Sequence, residues 1–238
     1  MMGVKNTDWI GKLVGYAKAL ADTVLDLVFL PDVSCLCCGR TIGEHGADGL
    51  CAACVRALEA LEAQQENRPI DLPEGIDFAA SVYPYTGHAK RLIRRLKYGH
   101  LRDAAYALGH AMAMLPGGEA DLLVPVPTTK RRERARGYNQ AELLCRVVAQ
   151  DTGMPMARLL TRTDDRRTQT GLSGWSRRRN LKGAMRAEEK AFGLRILLVD
   201  DVFTTGSTAE EAARALREAG AVGVGIFTAA KSLYGKPN

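Results

Sequence analysis

The fold of this 238-residue chain is decided by one stretch, Ile196-Leu197-Leu198-Val199-Asp200-Asp201-Val202-Phe203-Thr204-Thr205-Gly206-Ser207-Thr208. Its apolar start predicts a strand over residues 195–199 that is buried on both faces, because such strands read as short, unbroken apolar runs. Two acidic residues follow, and then a turn rich in hydroxyl groups and glycine. A helical pattern over residues 208–219 comes next. The stretch therefore predicts a strand, a polar loop and a helix in direct succession.

The polar loop has the chemistry of a site for a phosphorylated ribose. Backbone N–H groups at a helix N-terminus lack intrahelical partners and carry the positive end of the helix dipole, so they attract phosphate. Gly206 permits a close approach of the backbone. Four side-chain hydroxyls add donors: Thr204, Thr205, Ser207 and Thr208. Asp200 and Asp201 accept hydrogen bonds when ionised, so they suit ribose hydroxyls or a magnesium ion.

An ordinary capped helix is the alternative interpretation of the same residues. Ser207 or Thr208 would cap the helix, and acidic side chains would occupy its first turn. This alternative leaves the paired acids and the Thr-Thr-Gly turn unexplained. The loop also lacks the Gly-Lys-Ser/Thr of a Walker loop and the three spaced glycines of a dinucleotide site.

The alternation of strand and helix recurs along the chain. Strands are predicted over residues 78–85, 121–126, 195–199 and 222–229, and helices over residues 52–65, 87–97, 101–114, 139–152 and 208–219. Strands separated by helices indicate an α/β fold with a parallel sheet. Ligands of such sheets bind beyond the carboxyl ends of the strands, so the loops after Val126 and Val199 are the expected functional positions.

Two basic segments accompany these loops. Residues 124–140 hold five basic side chains against one acidic side chain, which suits a pyrophosphate group. The candidate pyrophosphate residues are Thr128, Thr129, Lys130, Arg131 and Arg136. Residues 158–186 hold nine basic side chains with weak apolar periodicity, which predicts a mobile lid. The candidate lid residues are Arg177, Arg178, Arg179 and Lys182. A solvated basic turn and a nucleic-acid-binding arm are the respective alternatives.

The net charge of +6 is unevenly distributed. Residues 1–86 hold 6 basic and 12 acidic side chains, whereas residues 87–238 hold 27 and 15. The C-terminal two thirds therefore suit a polyanionic ligand. With 46% hydrophobic and 25% charged residues, the composition excludes both a wholly disordered chain and a protein with many membrane spans.

Four cysteines form two Cys-x-x-Cys pairs with the spacing of a structural zinc site: Cys35, Cys38, Cys51 and Cys54. Cys37 could replace a ligand in a shifted register, and His45 is a weaker substitute. Buried or redox-active thiols are the alternative. Cys145 lies on a predicted helix and is expected in the core.

The chain divides into three predicted parts: an N-terminal amphipathic helix at residues 1–30, a small zinc-binding module at 31–66 and an α/β domain at 75–238. Charged residues interrupt the N-terminal helix, which argues against a transmembrane span. The helix is expected to pack on its own protein, with a membrane surface as the less favoured partner. We expect a cytoplasmic protein, since no secretory signal precedes the cysteines.

The order of motifs resembles the ComF family of competence-associated phosphoribosyltransferase-like proteins, and residues 199–208 resemble the phosphoribosyl pyrophosphate signature of type I phosphoribosyltransferases. The motifs are the cysteine pairs, Tyr83-x-Tyr85-x-Gly87, Leu92-Ile93-x-x-Leu96-Lys97-Tyr98, Val124-Pro125-Val126-Pro127, Arg136-Gly137-Tyr138-Asn139-Gln140, Arg177 to Gly183 and the aspartate pair. The resemblance implies a type I phosphoribosyltransferase-like domain preceded by a zinc-ribbon-like module. It also implies that Asp200 and Asp201 contact ribose hydroxyls and that residues 204–208 hold the 5′-phosphate.

Two functional hypotheses follow from this resemblance. In the first, the protein binds phosphoribosyl pyrophosphate with magnesium and transfers the phosphoribosyl group to an acceptor during competence and DNA uptake. In the second, it is a non-catalytic protein that binds single-stranded DNA, or competence and DNA-processing proteins, during natural transformation. Paired carboxylates beside a phosphate loop favour the first hypothesis. The sequence shows no identifiable hood for a nucleobase, which favours the second, and aromatic residues among basic ones permit base stacking. Tyr138, His88 and His100 are available but generic candidates for a catalytic base.

Overall fold

The computed structural model describes residues 34–42, 47–65, 70–99, 101–116, 119–162 and 183–232. The predicted N-terminal helix and the lid residues Arg177, Arg178, Arg179 and Lys182 lie outside these ranges, as do His45 and His100. In chain order the elements are α1 (Ala52–Gln65), β1 (Phe78–Pro84), α2 (Gly87–Tyr98), α3 (Ala104–Ala113), β2 (Leu122–Pro125), α4 (Lys130–Arg136), α5 (Gln140–Thr152), β3 (Leu160–Arg162), β4 (Met185–Ala187), β5 (Arg195–Phe203), α6 (Ser207–Glu218) and β6 (Gly223–Lys231).

Four of the strands form a parallel sheet in the order β1-β6-β5-β2. Strand β5 therefore lies between two neighbours, which explains its unbroken apolar start. Leu197 and Val199 pack into one core cluster, and Ile196 and Leu198 pack into the other. Successive residues of a strand point to opposite faces, so β5 supplies both cores. The predicted parallel-sheet α/β fold is confirmed.

Helices cover both faces of the sheet. On one face, α2, α3 and α5 contribute fully buried side chains that include Leu92, Leu108 and Leu144. On the other face, α6 contributes Leu216 and a series of buried alanines. Cys145 is fully buried on α5, as expected. Among the described residues, no helix is long and apolar enough to cross a membrane.

Three local predictions differ from the structure. Strand β5 continues to Phe203, so Asp200 and Asp201 lie within the strand and not in the loop after it. The basic segment after β2 contains helix α4, which begins where Thr129 accepts the N–H of Arg132. The short antiparallel strands β3 and β4 lie at the two ends of the predicted lid segment. Three-residue strands carry too little periodicity to be recognised from sequence.

Strand β4 of the β3–β4 pair is fixed to α6 by a buried carboxylate. Glu211 is 4% exposed and accepts the N–H of Met185 at 3.0 Å. It also accepts two hydrogen bonds from the Arg214 guanidinium, at 2.8 and 2.9 Å. Arg214 forms a second ion pair with Glu218, whose side chain is 66% exposed. One arginine therefore pairs with a buried and an exposed carboxylate.

Glu211→Ala is expected to lower the free energy of unfolding by about 3 kcal/mol, because it leaves Arg214 and the Met185 N–H without their buried acceptor. Glu218→Ala is the matched control, with an expected loss under about 1 kcal/mol, since its ion pair with Arg214 is exposed. Urea unfolding at pH 7 measures both values. Equal losses would contradict the structural role of Glu211.

The same carboxylate links stability to pH. Burial raises the pKa of Glu211, but the Arg214 guanidinium and the Met185 N–H outweigh it and hold that pKa below its ordinary value of 4.5. The stabilisation is therefore complete above pH 4.5 and is lost as the pH falls through the lower folded-state pKa. The difference between wild type and Glu211→Ala should shrink over that acidic range.

Candidate ligand site at the carboxyl edge of the sheet

The acid pair lies near the end of β5, with its two side chains in different environments. Asp201 is 4% exposed, whereas Asp200 is half-buried. The Oδ1 atom of Asp200 accepts the N–H of Asp201 at 2.8 Å. Burial and the neighbouring Asp201 carboxylate raise the pKa of Asp200 to about 8. The two acids are therefore not equivalent, although the sequence gives them the same predicted role.

Lys97 is a site residue to which the sequence analysis assigned no role. It lies in the last turn of α2, and its Nζ atom is 2.6 Å from Oδ2 of Asp201. The exposed fractions of the two side chains are 19% and 5%. Burial lowers the pKa of Lys97, but the Asp201 carboxylate outweighs this effect and the net direction is upward. In the sequence, Lys97 is marked only by its position directly after the apolar residues Leu92, Ile93 and Leu96.

The loop after β5 forms the start of helix α6. Gly206 is the N-cap residue in a left-handed conformation, with φ +76°, and no side chain caps the helix. The alternative reading, in which Ser207 or Thr208 caps the helix, is therefore wrong. The Ser207 hydroxyl instead lies 2.9 Å from the Thr205 hydroxyl. The first turn of α6 thus presents backbone N–H groups without a side-chain acceptor, as a phosphate site requires.

Gly206 also allows a close approach of chain segments. A Cβ atom at this position would lie 2.6 Å from Cγ of Pro73 and 3.1 Å from the Phe203 ring. Both the positive φ and the lack of space therefore require glycine. This position fixes the shape of the loop between the acid pair and α6.

The basic segment after β2 starts beside the acid pair. The N–H of Val126 donates to the carbonyl of Val199 at 3.0 Å, so the chain leaves β2 next to the residue that precedes Asp200. Thr128 and Thr129 follow and are half-buried, while Lys130 and Arg131 are exposed at the start of α4. The structure thus brings the start of this segment to the same edge as the acid pair.

Arg136 and Tyr138, at the end of the same segment, contact α2. The Arg136 guanidinium lies 5.7 Å from the ring centre of Tyr98 and donates a hydrogen bond to Gln140. Tyr138 is 7% exposed, and its hydroxyl donates to the carbonyl of Leu96 at 2.5 Å. Tyr138 therefore has a packing role and is a poor candidate for a catalytic base.

The four predicted metal ligands converge in the N-terminal module. The Sγ atoms of Cys35, Cys38, Cys51 and Cys54 all lie within 4.8 Å of one another. Backbone N–H groups of Cys38 and Cys51 donate to Cys35 Sγ at 3.5 and 3.3 Å. Burial raises the pKa of Cys35, but these N–H groups outweigh it and lower that pKa to about 6. The cluster therefore has the chemistry of a tetrathiolate metal site.

Cys37 lies outside this cluster. It is fully buried, and its thiol donates to the carbonyl of His88 at the start of α2, with an S···O distance of 3.7 Å. The grouping of the four other sulfur atoms therefore favours the register with Cys35 and Cys38. Arg95 of α2 also donates to the carbonyls of Cys35 and Leu36, so the module is bound to α2.

Comparison with known proteins relates this chain to phosphoribosyltransferases and to proteins of DNA use and competence. A family profile described as a phosphoribosyl transferase domain matches residues 143–237, which include β5, the loop and α6. The chain is 33% identical over 207 residues to the DNA utilization protein YhgH of Salmonella typhimurium, a match that covers 78% of this chain and 91% of that protein. It is 34% identical over 146 residues to competence protein F of Haemophilus influenzae, covering 60% of this chain and 61% of that protein.

Among solved structures, a glutamine phosphoribosylpyrophosphate amidotransferase of B. subtilis, complexed with ADP and GMP, matches 54% of this chain and 26% of its own chain. The sequence identity is 25% and the TM-score is 0.39. The sequence relatives carry the assignment, because the first of them is matched over nearly its whole length. The chain belongs to the ComF family of phosphoribosyltransferase-like proteins.

Proposed function

We propose that this protein binds phosphoribosyl pyrophosphate, together with magnesium, at the carboxyl edge of its parallel sheet. One observation carries the proposal: the acid pair near the end of β5 is followed a few residues later by a helix N-terminus with the left-handed Gly206 as its N-cap and no side-chain cap. The N–H groups of residues 207–209 supply donors for the 5′-phosphate, and Thr204, Thr205, Ser207 and Thr208 add hydroxyls. The acid pair of Asp200 and Asp201 supplies the acceptor for the ribose hydroxyls.

The pyrophosphate group would meet the segment after β2. Thr128, Thr129, Lys130, Arg131 and Arg136 are the proposed contacts. The hydrogen bond between Val126 and Val199 supports this assignment, because it puts the start of the segment beside the acid pair. Magnesium would enter with the pyrophosphate, whose charge it offsets.

Transfer of the phosphoribosyl group is a separate claim from binding. Transfer would break the bond between C1 of the ribose and the pyrophosphate oxygen, and an acceptor nucleophile would form the new bond at C1. Release of pyrophosphate, measured with a panel of nucleobases, separates an enzyme from a protein that only binds the ligand.

The cysteine cluster is proposed to bind a structural zinc ion. Four thiolates complete a tetrahedral zinc shell and leave no position for a substrate water. Zinc would stabilise a small module, because it would join the turn that holds Cys35 and Cys38 to the start of α1, where Cys51 and Cys54 lie. The short distances among the four sulfur atoms support this assignment.

Single-stranded DNA is a second candidate ligand, and a groove on α2 favours it. The groove combines basic side chains with an aromatic ring, and it is lined by Gly87, Lys90, Arg91, Arg94, Arg95, Tyr98 and Gly99. Tyr98 is 71% exposed. Basic side chains beside an exposed ring suit the backbone and the bases of a single strand. The names of the two relatives, a DNA utilization protein and a competence protein, support a role in DNA handling during natural transformation.

Two substitutions test the proposed ligand site. Gly206→Ala should weaken binding of phosphoribosyl pyrophosphate by at least about tenfold, because the new Cβ meets Pro73 and distorts the phosphate loop. Asp200→Asn should cause a similar loss above pH 8, where the Asp200 carboxylate is ionised and its contact with the ribose is charge-assisted. Isothermal titration calorimetry with magnesium present measures both affinities.

Each variant has a matched control. Gly193 also has a positive φ, +74°, but a Cβ there meets nothing within 4 Å, so Gly193→Ala carries the strain without the steric clash. Asp103→Asn removes an exposed carboxylate at the start of α3. Both controls should bind as wild type does. Wild-type affinity in Gly206→Ala and Asp200→Asn would refute the assignment of these residues.

The zinc assignment predicts about one zinc ion per chain, and its loss in Cys51→Ser. Cys37→Ser should keep the metal, because Cys37 lies outside the cluster and bonds to a backbone carbonyl. Mass spectrometry of the metal content of purified protein measures both. Retention of zinc in Cys51→Ser, or its loss in Cys37→Ser alone, would contradict the proposed ligand set.

The DNA assignment predicts that Arg91→Glu/Arg94→Glu weakens binding of a labelled single-stranded oligonucleotide by at least about tenfold. The slope of log affinity against log salt should also fall, by about 0.7 for each lost phosphate contact. Fluorescence anisotropy at several salt concentrations gives both quantities. Lys190→Glu is the control, since Lys190 is 81% exposed and lies before the amino end of β5. Equal losses in the variant and the control would show only a general charge effect.

A further inference from the structure

The ion pair between Lys97 and Asp201 joins α2 to the proposed ribose-phosphate site. Leu92, Ile93 and Leu96 anchor α2 in the core, and all three are fully buried. Lys97 follows directly in the last turn of the helix. The anchored helix therefore holds the ammonium group at the carboxyl edge of the sheet, 2.6 Å from Asp201 Oδ2.

The two acids of the pair differ in access to a ligand. The side chain of Asp201 is 5% exposed, and its Oδ2 atom is fully buried. Asp200 is half-buried, and its contact in the structure is to the N–H of the next residue. A ribose hydroxyl can therefore reach Asp200 without disturbing a buried ion pair.

The charge of Asp201 needs compensation at an anion site. An ionised Asp201 carboxylate beside the phosphate loop would repel an anionic sugar phosphate, and the repulsion is strong where the surroundings exclude water. The Lys97 ammonium cancels this charge. It also lies near enough to Asp200 to interact with it electrostatically. Loss of this cation would leave a buried carboxylate without compensation, next to the ligand phosphate.

We propose that Lys97 is a positioning residue of the ribose-phosphate site: it fixes the Asp201 carboxylate and cancels its charge, and Asp200 alone contacts the ribose hydroxyls. This inference rests on the proposed function and refines it. It gives the two acids different roles, one as a ligand contact and one as the anchor of a lysine. It also explains why a lysine ends the apolar face of α2.

A double-mutant cycle tests the inference with phosphoribosyl pyrophosphate and magnesium as the calorimetric probe. Lys97→Met should weaken binding by at least about tenfold, because it leaves the Asp201 charge uncompensated beside an anion. The double variant Lys97→Met/Asp201→Asn should bind within about threefold of wild type, since it removes both charges together. Asp201→Asn alone should bind at least as well as wild type, and Lys97→Arg should bind within about threefold.

Several results would overturn the inference. Wild-type affinity in Lys97→Met would show that the lysine does not affect the site. A double variant as weak as Lys97→Met would mean that Lys97 or Asp201 contacts the ligand directly. If Lys97→Met does not fold, as its melting temperature would show, the double variant and Asp201→Asn decide, because a loss of affinity in either contradicts the proposal.

A control variant and the wild-type protein separate a failure of this inference from a failure of the proposed function. Lys190→Met removes an exposed lysine before the amino end of β5 and should not change the affinity. If wild type binds the probe but the cycle fails, the inference is wrong and the proposed function stands. If wild type does not bind, the proposed function is wrong and the inference is wrong with it.

Discussion

The parallel pairing of β5 with both β2 and β6 is the constraint on which the rest of the structure depends. It gives β5 a hydrogen-bonded neighbour along each edge and sets the acid pair at the carboxyl edge of the sheet. The hydrogen bond from Val126 to Val199 continues this pairing beyond β2 and brings the basic segment to the same edge. The proposed phosphate loop is the turn from β5 into α6, which Gly206 permits.

Helix α2 connects the separate parts of the protein. Arg95 donates to two backbone carbonyls of the cysteine module, and Lys97 pairs with Asp201 in the proposed ligand site. Tyr98 lies in the basic groove, below the guanidinium of Arg136 from the segment after β2. One amphipathic helix therefore links the proposed zinc site, ribose-phosphate site and DNA groove, since its buried face holds all three contacts in fixed positions.

Much of the fold could be predicted from the sequence, because it depends on local patterns. The apolar run of β5, the spacing of the four cysteines and the glycine turn before α6 are contiguous signals. The extension of β5 through Asp200 and Asp201 was missed, since paired acids interrupt the apolar pattern of a strand. The pair of Lys97 with Asp201 joins residues far apart in the chain, and no local pattern contains such information. The packing of α2 on the sheet brings Lys97 and Asp201 together.

The central claim is that the first turn of α6 binds the phosphate of a phosphorylated ribose. Hydrogen–deuterium exchange of the wild-type protein, with and without phosphoribosyl pyrophosphate and magnesium, tests it most directly. The backbone N–H groups of residues 204–209 are expected to exchange more slowly when the ligand is present, because they become hydrogen-bond donors to phosphate. Unchanged exchange in this segment at a saturating ligand concentration would show that the first turn of α6 does not bind the phosphate.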